Sequence, residues 1–213
     1  MAMLKRYLPF AAVTIVLLAV SVGAIADTDE SNPPSAGMPQ VTEIEPAALE
    51  AMAVFERGRV AADALRDDLA SKMDANADFG MNPGLSRVSI GNATSSLYVI
   101  PAGGHVCAAL TVGEGASMSC PSTDDIAAGR VAPVTVTLET GDIAIYGIVP
   151  DGVESLSVRT GVAASTEVEV EGNGYYTVVP AGTPLRSAAY TGPSGSVEFP
   201  LYDPSRVMED DER

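Results

Sequence analysis

Three residue types on which much enzyme chemistry rests are scarce in this chain. Its 213 residues include one histidine, His105, two cysteines, Cys107 and Cys120, and two lysines, Lys5 and Lys72. With two lysines so placed there is no Ser-x-x-Lys pair and no Gly-x-x-x-x-Gly-Lys phosphate loop, and no Gly-x-Gly-x-x-Gly follows a strand-like run. Gly192-Pro-Ser194-Gly-Ser196 lacks the last glycine of a nucleophile elbow. Nothing around His105 suggests a triad. Nucleophilic hydrolysis and nucleotide binding therefore lack their usual motifs.

Basic charge is the next shortage. Lys and Arg number 12 against 28 Asp and Glu, a net charge of −16. Such a field repels nucleic acid and anionic lipid heads and suits a solvated surface, weak attraction of cations, or a basic partner. Two of the basic residues, Lys5 and Arg6, precede an uncharged run from Tyr7 to Ala26 that ends in Ala24-Ile25-Ala26. That is the pattern of a secretory signal peptide. The run is also about the ~20 residues that span a bilayer, so residues 1–26 read equally as a membrane anchor. In either case the bulk of the chain is expected outside the cytoplasm, and it meets a membrane only through that segment if it is not cleaved.

Residues 27–45, with five acids and Pro33, Pro34 and Pro39, read as an acidic, proline-rich linker. From Pro46 helix formers dominate as far as Met73, with Val54, Ala61, Leu65 and Leu69 as a packing stripe, Gly58 as a divider, and Arg59/Asp63 and Asp68/Lys72 as i,i+4 pairs. Beyond Pro83-Gly84 short strand patterns recur with turn residues every 8–12 positions, the signature of a sandwich or small barrel. The patterns predict strands at 86–90, 97–101, 105–112, 131–138, 142–149, 153–160, 164–171, 175–180, 184–190 and 196–201. A short helix is expected from the cap Ser122 to the stop at Gly129. In 142–149, Ile143, Ile145 and Val149 share one face and Ala144, Tyr146 and Ile148 the other, as in a central strand covered on both sides. Pro150-Asp151-Gly152 predicts a reversal that pairs this strand with Val153–Thr160. Gly172-Asn173-Gly174 and Gly192-Pro193-Ser194-Gly195 read as hairpin turns. Residues 46–202 thus make one β-rich domain, and 203–213 an acidic tail.

Two metal patterns fail on their spacing. Asp74, Asn76 and Asp78 alternate as in a calcium loop, but Phe79 stands where the glycine belongs and Leu85 where a bidentate Glu belongs. His105, Cys107 and Cys120 supply three zinc-type ligands without a fourth. In an exported chain the two cysteines are instead expected to form a disulfide. Glu167, Glu169 and Glu171 line one strand face as a solvated acidic row or a seat for a hydrated cation or a basic ligand. Asn92-Ala-Thr94 is a glycosylation sequon.

Leu85-Ser-Arg87, Tyr98-Val-Ile-Pro-Ala-Gly-Gly-His-Val-Cys107, Cys120 and Gly147-Ile-Val-Pro-Asp-Gly-Val153 follow a helical stretch carrying Phe55-Glu-Arg-Gly-Arg-Val-Ala-Ala-Asp63. This combination, across residues 54–180, resembles a set of exported proteins of soil actinobacteria. The resemblance implies a single membrane-proximal β-rich domain and brings no activity with it.

The expected fold is α+β and mainly antiparallel, a β-sandwich or partly open barrel with an N-terminal helical segment. The expected role is a non-catalytic extracytoplasmic binding or structural module for a protein or cell-envelope ligand, without cofactor. Its rival is a carboxylate-dependent hydrolase using Asp142, Asp151 or Glu154.

Overall fold

Ile143–Ile148, hereafter β6, is buried at every position, and the rest of the fold follows from covering both of its faces. The computed structural model describes residues 39–74, 79–162 and 164–203. Residues 1–38, which hold the expected leader or anchor and most of the expected linker, residues 75–78 with Asn76 and Asp78, and residues 204–213 lie outside the described residues. The strands in chain order are β1 (Arg87–Gly91), β2 (Ser95–Ala102), β3 (His105–Val112), β4 (Gly115–Ser119), β5 (Val134–Thr137), β6, β7 (Ser155–Thr160), β8 (Ala164–Glu169), β9 (Gly174–Val179), β10 (Leu185–Gly192) and β11 (Gly195–Pro200). The helices α1 (Pro46–Ala51), α2 (Asp67–Asp74) and α3 (Thr123–Ala127) are short.

All strand pairs are antiparallel and form three sheets, ordered β1-β2-β3-β4, β5-β6-β9 and β11-β10-β7-β8. They stack as layers. Ala144, Tyr146 and Ile148 of β6 share a core with Leu97, Val99, Val106, Ala108 and Leu110 of the first sheet. Ile143, Ile145 and Val149 share another with Leu156, Val158 and Val168 of the third. The outer face of the first sheet, with Tyr98, Ile100 and Ala109, is closed by Leu69 and Met73 of α2 together with Met81. The result is a β-rich α+β sandwich; no barrel closes among the described residues.

The predicted hairpin at Pro150-Asp151-Gly152 does not form. Both edges of β6 are taken, by β5 and β9, so β7 has no edge to pair with. Instead the turn lifts the chain into the next layer, and Leu156 and Val158 pack on β6 face to face. Asp151 holds the departure: its N–H donates to Ala51 O at 3.0 Å, while its Oδ1 accepts Ala53 N at 2.7 Å and Asn173 Nδ2 at 2.8 Å. Gly172-Asn173 turns tightly, as predicted, with φ of 49° and 64°, but it too connects different sheets. At Gly192–Gly195 the expected hairpin between β10 and β11 does form.

β4 was not expected, because Gly113-Glu-Gly-Ala-Ser117 reads as a turn. A glycine, an alanine and two serines give β4 little strand preference of its own, and its ladder with β3 supplies what propensity does not. That ladder sets Ala108 opposite Ser119, so one step further Cys107 faces Cys120, and the two are bridged with a Cα separation of 4.0 Å. Both sulfurs of the zinc alternative are thereby used in the disulfide.

The N-terminal segment is not the near-continuous helix its composition suggests. α1 ends at Ala51, single 3₁₀ turns occupy Ala53–Phe55 and Ala61–Asp63, and α2 begins at Asp67. Val54 and Leu69 of the expected stripe are buried, whereas Ala61 faces solvent. The expected Arg59/Asp63 pair is replaced by a different one. Asp63, fully buried, accepts two hydrogen bonds from Arg57, at 2.6 and 2.8 Å, and one each from Val60 N and Val88 N, both at 2.7 Å. Arg57 also donates to Val88 O at 2.8 Å, and Ser86 Oγ to Asp63 O at 2.6 Å. A helix would spend these backbone groups internally; the open chain spends them on stapling itself to β1. The folded part also takes in Val41, whose N–H donates to Gly80 O at 2.9 Å, and Ile44, which packs on the inner core.

This carboxylate dominates the fold's electrostatics. The pair Arg130–Asp125 is exposed on both sides and screened by solvent, whereas removing one partner of a buried pair costs roughly 3–5 kcal/mol. Burial alone would push the Asp63 carboxyl up, but Arg57 and the two backbone donors more than reverse this and hold it well below the usual carboxylate range. A depressed folded-state pKa adds stability above the unfolded value, ~3.9, and that stability drains away as pH falls below it. We therefore expect Asp63→Asn to lower stability by roughly 3–5 kcal/mol at pH 7. The variant should also lose stability less steeply than the parent below about pH 4 in denaturant titrations. Parallel acid limbs in the two proteins would contradict this role.

Candidate binding cleft

Where the first and middle sheets run past one another their shared core is left open at one end. β3 and β4 join through Gly113-Glu114 on one side, and β5 leads into Leu138–Gly141 on the other. Between them lies a cleft of about 430 Å³. Leu110, fully buried, is its floor, and the half-buried Val112, Val136 and Leu138 are its walls. The strand patterns explain these walls. In the strand predicted at 131–138 alternate apolar residues share a face, and Val134 and Val136 of β5 and Leu138 just beyond it do pack on the core, although the strand starts only at Val134.

One polar pair borders this apolar space. Ser117 Oγ on β4 and the hydroxyl of the fully buried Tyr146 on β6 lie 2.9 Å apart. Burial pushes the Tyr146 phenol up from its ordinary value, and the Ser117 contact offsets part of that rise. Each hydroxyl thus has its partner within the protein. The exposed lining residues Thr94, Thr137, Glu139 and Thr140 form the rim.

No family model, curated protein or solved structure matches this chain. The site rests on its own geometry.

The residues singled out from the sequence fall elsewhere. Asp142 and Asp151 flank opposite ends of β6, whose six residues span roughly 20 Å at ~3.3 Å per residue. Asp142 accepts Thr140 Oγ1 at 2.9 Å and Ala181 N at 3.1 Å, and Asp151 is the anchor described above; both organise turns. Glu154 borders a shallow, polar recess on the outer face of the third sheet together with Glu167, which accepts Ser155 Oγ. Glu167 and Glu169 lie in β8, as expected, while Glu171 has left the strand and pairs with Gly174 across the turn. Of the calcium-type residues, Asn76 and Asp78 lie outside the described residues and Asp74 ends α2. His105 Nδ1 lies 2.8 Å from Gly103 O, and its ring meets Phe79 edge-on. Asn92 Oδ1 accepts Thr94 N and Ser95 N at 2.9 and 2.8 Å, closing the β1–β2 turn.

Sequence reasoning missed the cleft because β4 forms one of its walls. The available signal was the pair of small residues Ala116 and Ser117 facing the large Val136 and Leu138. Truncating Ser117 to Ala strands a buried hydroxyl and should cost about 1–3 kcal/mol, whereas adding Tyr146→Phe to it should recover much of the loss. Urea melts of the two single variants and the double variant check this; equal losses from S117A with and without Y146F would contradict the pairing.

Proposed function

We propose that this protein is a non-catalytic, extracytoplasmic binding module that takes a small, largely apolar molecule into the cleft between β3–β4 and β5. The observation that carries this is an open cleft of about 430 Å³ continuous with the core and floored by Leu110. Its size falls within the ~300–1,000 Å³ of small-molecule sites, and an apolar lining with few polar groups is their usual chemistry. An apolar guest in the cleft takes its own apolar surface and that of the lining out of water. The Cys107–Cys120 bridge supports the extracytoplasmic placement, because such bonds persist in oxidising compartments.

A homologous series of straight-chain alcohols tests the reading. Each methylene entering the cleft contributes about 0.8 kcal/mol, so Kd by calorimetry should fall about fourfold per carbon until the cleft is full. Ala116→Trp, at an exposed position on the cleft wall, should abolish binding while the melting transition is kept. Binding without chain-length dependence, or undiminished in A116W, would contradict it. Alkylating intact cells before lysis checks the location, since an exported chain keeps its bridge and takes up no label.

A further inference from the structure

Resting on the binding role proposed above, we infer that the cleft selects amphiphiles with a protonated amine head, the apolar chain inside and the ammonium at the rim. The orientation follows from where polar groups are satisfied. Inside, Ser117 and Tyr146 occupy each other at 2.9 Å, so a polar group pushed inward would be desolvated without gaining a new partner. The head belongs at the rim.

Among the described residues, Glu139 is the one charged residue that lines the cleft, and two of the three rim threonines spend their hydrogens within the protein. Thr94 Oγ1 spends its hydrogen on Asn92 Oδ1 at 3.1 Å, and Thr140 Oγ1 spends its own on Asp142 Oδ2 at 2.9 Å. Each therefore turns only lone pairs outward. Next to Thr140 in the chain stands the exposed carboxylate of Glu139. Asp142 lies directly behind Thr140, adding a second negative charge to the same side. Arg66 Nη1 donates to Gly113 O at 3.2 Å in the β3–β4 turn, and Arg66 is not among the residues that line the cleft. A carboxylate or phosphate head would thus meet Glu139 and hydroxyls whose hydrogens are already committed. An ammonium brings three donors to a rim that offers acceptors, in a chain of net charge −16.

Decylamine, decanol and decanoate share one apolar chain and differ only in the head, which at pH 7 is cationic, neutral and anionic. Calorimetry on the full folded domain should give decylamine the lowest Kd, about two- to fivefold below decanol, with decanoate the weakest, as expected for an exposed ion pair. In Glu139→Gln the amine-to-alcohol ratio should shrink toward one. Raising salt should narrow the ratio in the parent in the same way. Decanoate binding as tightly as decylamine, or an amine preference that survives both E139Q and high salt, would overturn the head-group assignment while leaving the cleft reading intact. Failure of all three ligands to bind would overturn the cleft reading itself, and with it this inference.

Discussion

Everything in this fold depends on covering both faces of β6. A strand with Ile143, Ile145 and Val149 on one side and Ala144, Tyr146 and Ile148 on the other cannot lie at a surface without exposing one apolar row. Burying both rows takes a sheet above and a sheet below, and the chain makes them from strands on either side of β6 in sequence. Burying a large apolar side chain contributes about 1.5–3 kcal/mol. With four such residues, Ile143, Ile145, Tyr146 and Ile148, all at or below 1% exposure, that term outweighs any surface ion pair in the molecule.

Layering has a local cost at each crossing between sheets, where the chain must leave a strand without a ladder partner. The crossings are where the buried polar network sits. Asn173, held at φ 64°, donates to Asp151 and to Val149 O, and accepts Val54 N. It thereby ties the end of the middle sheet to the N-terminal segment. Asp63 does the equivalent task for β1. Gly147 shows the same economy of space: the fully buried Tyr175 ring lies across it, and a Cβ there would sit 2.4 Å from the phenol oxygen. The cleft is the complement of these closures, the one end of the first interlayer core where β4 and β5 present Ala116, Ser117 and Val136 without a crossing chain to seal it.

Strand positions were legible because alternation is written into each strand: ten of the predicted runs coincide with β1–β3 and β5–β11, with ends shifted by a few residues. Pairing was not legible. Pro150-Asp151-Gly152 has the composition of a hairpin turn, and composition does not say whether the next strand pairs edge to edge or packs face to face. That is decided by β9, 26 residues after β6 ends, taking the edge that β7 would need. The N-terminal segment failed in the opposite sense. Its helix propensity is real, but the buried Asp63 and its donors override it, as tertiary contacts commonly do. The bridge between Cys107 and Cys120 was expected from their number and the export pattern, while the strand that places Cys120 was not. The cleft was hidden for the same reason, since Gly115–Ser119 has no strand pattern apart from its partner.

The central claim is that the middle sheet is the last part of the molecule to open. Native-state hydrogen exchange measures this directly. Amides of Ile143–Ile148 bonded to β5 and β9 should exchange only through global unfolding, with the full denaturant dependence of the whole domain, whereas the edge strands β8 and β11 should open at lower free energy. If β6 amides exchange by a smaller opening while the third sheet stays protected, the middle sheet is not the element the rest depends on, and the account is wrong.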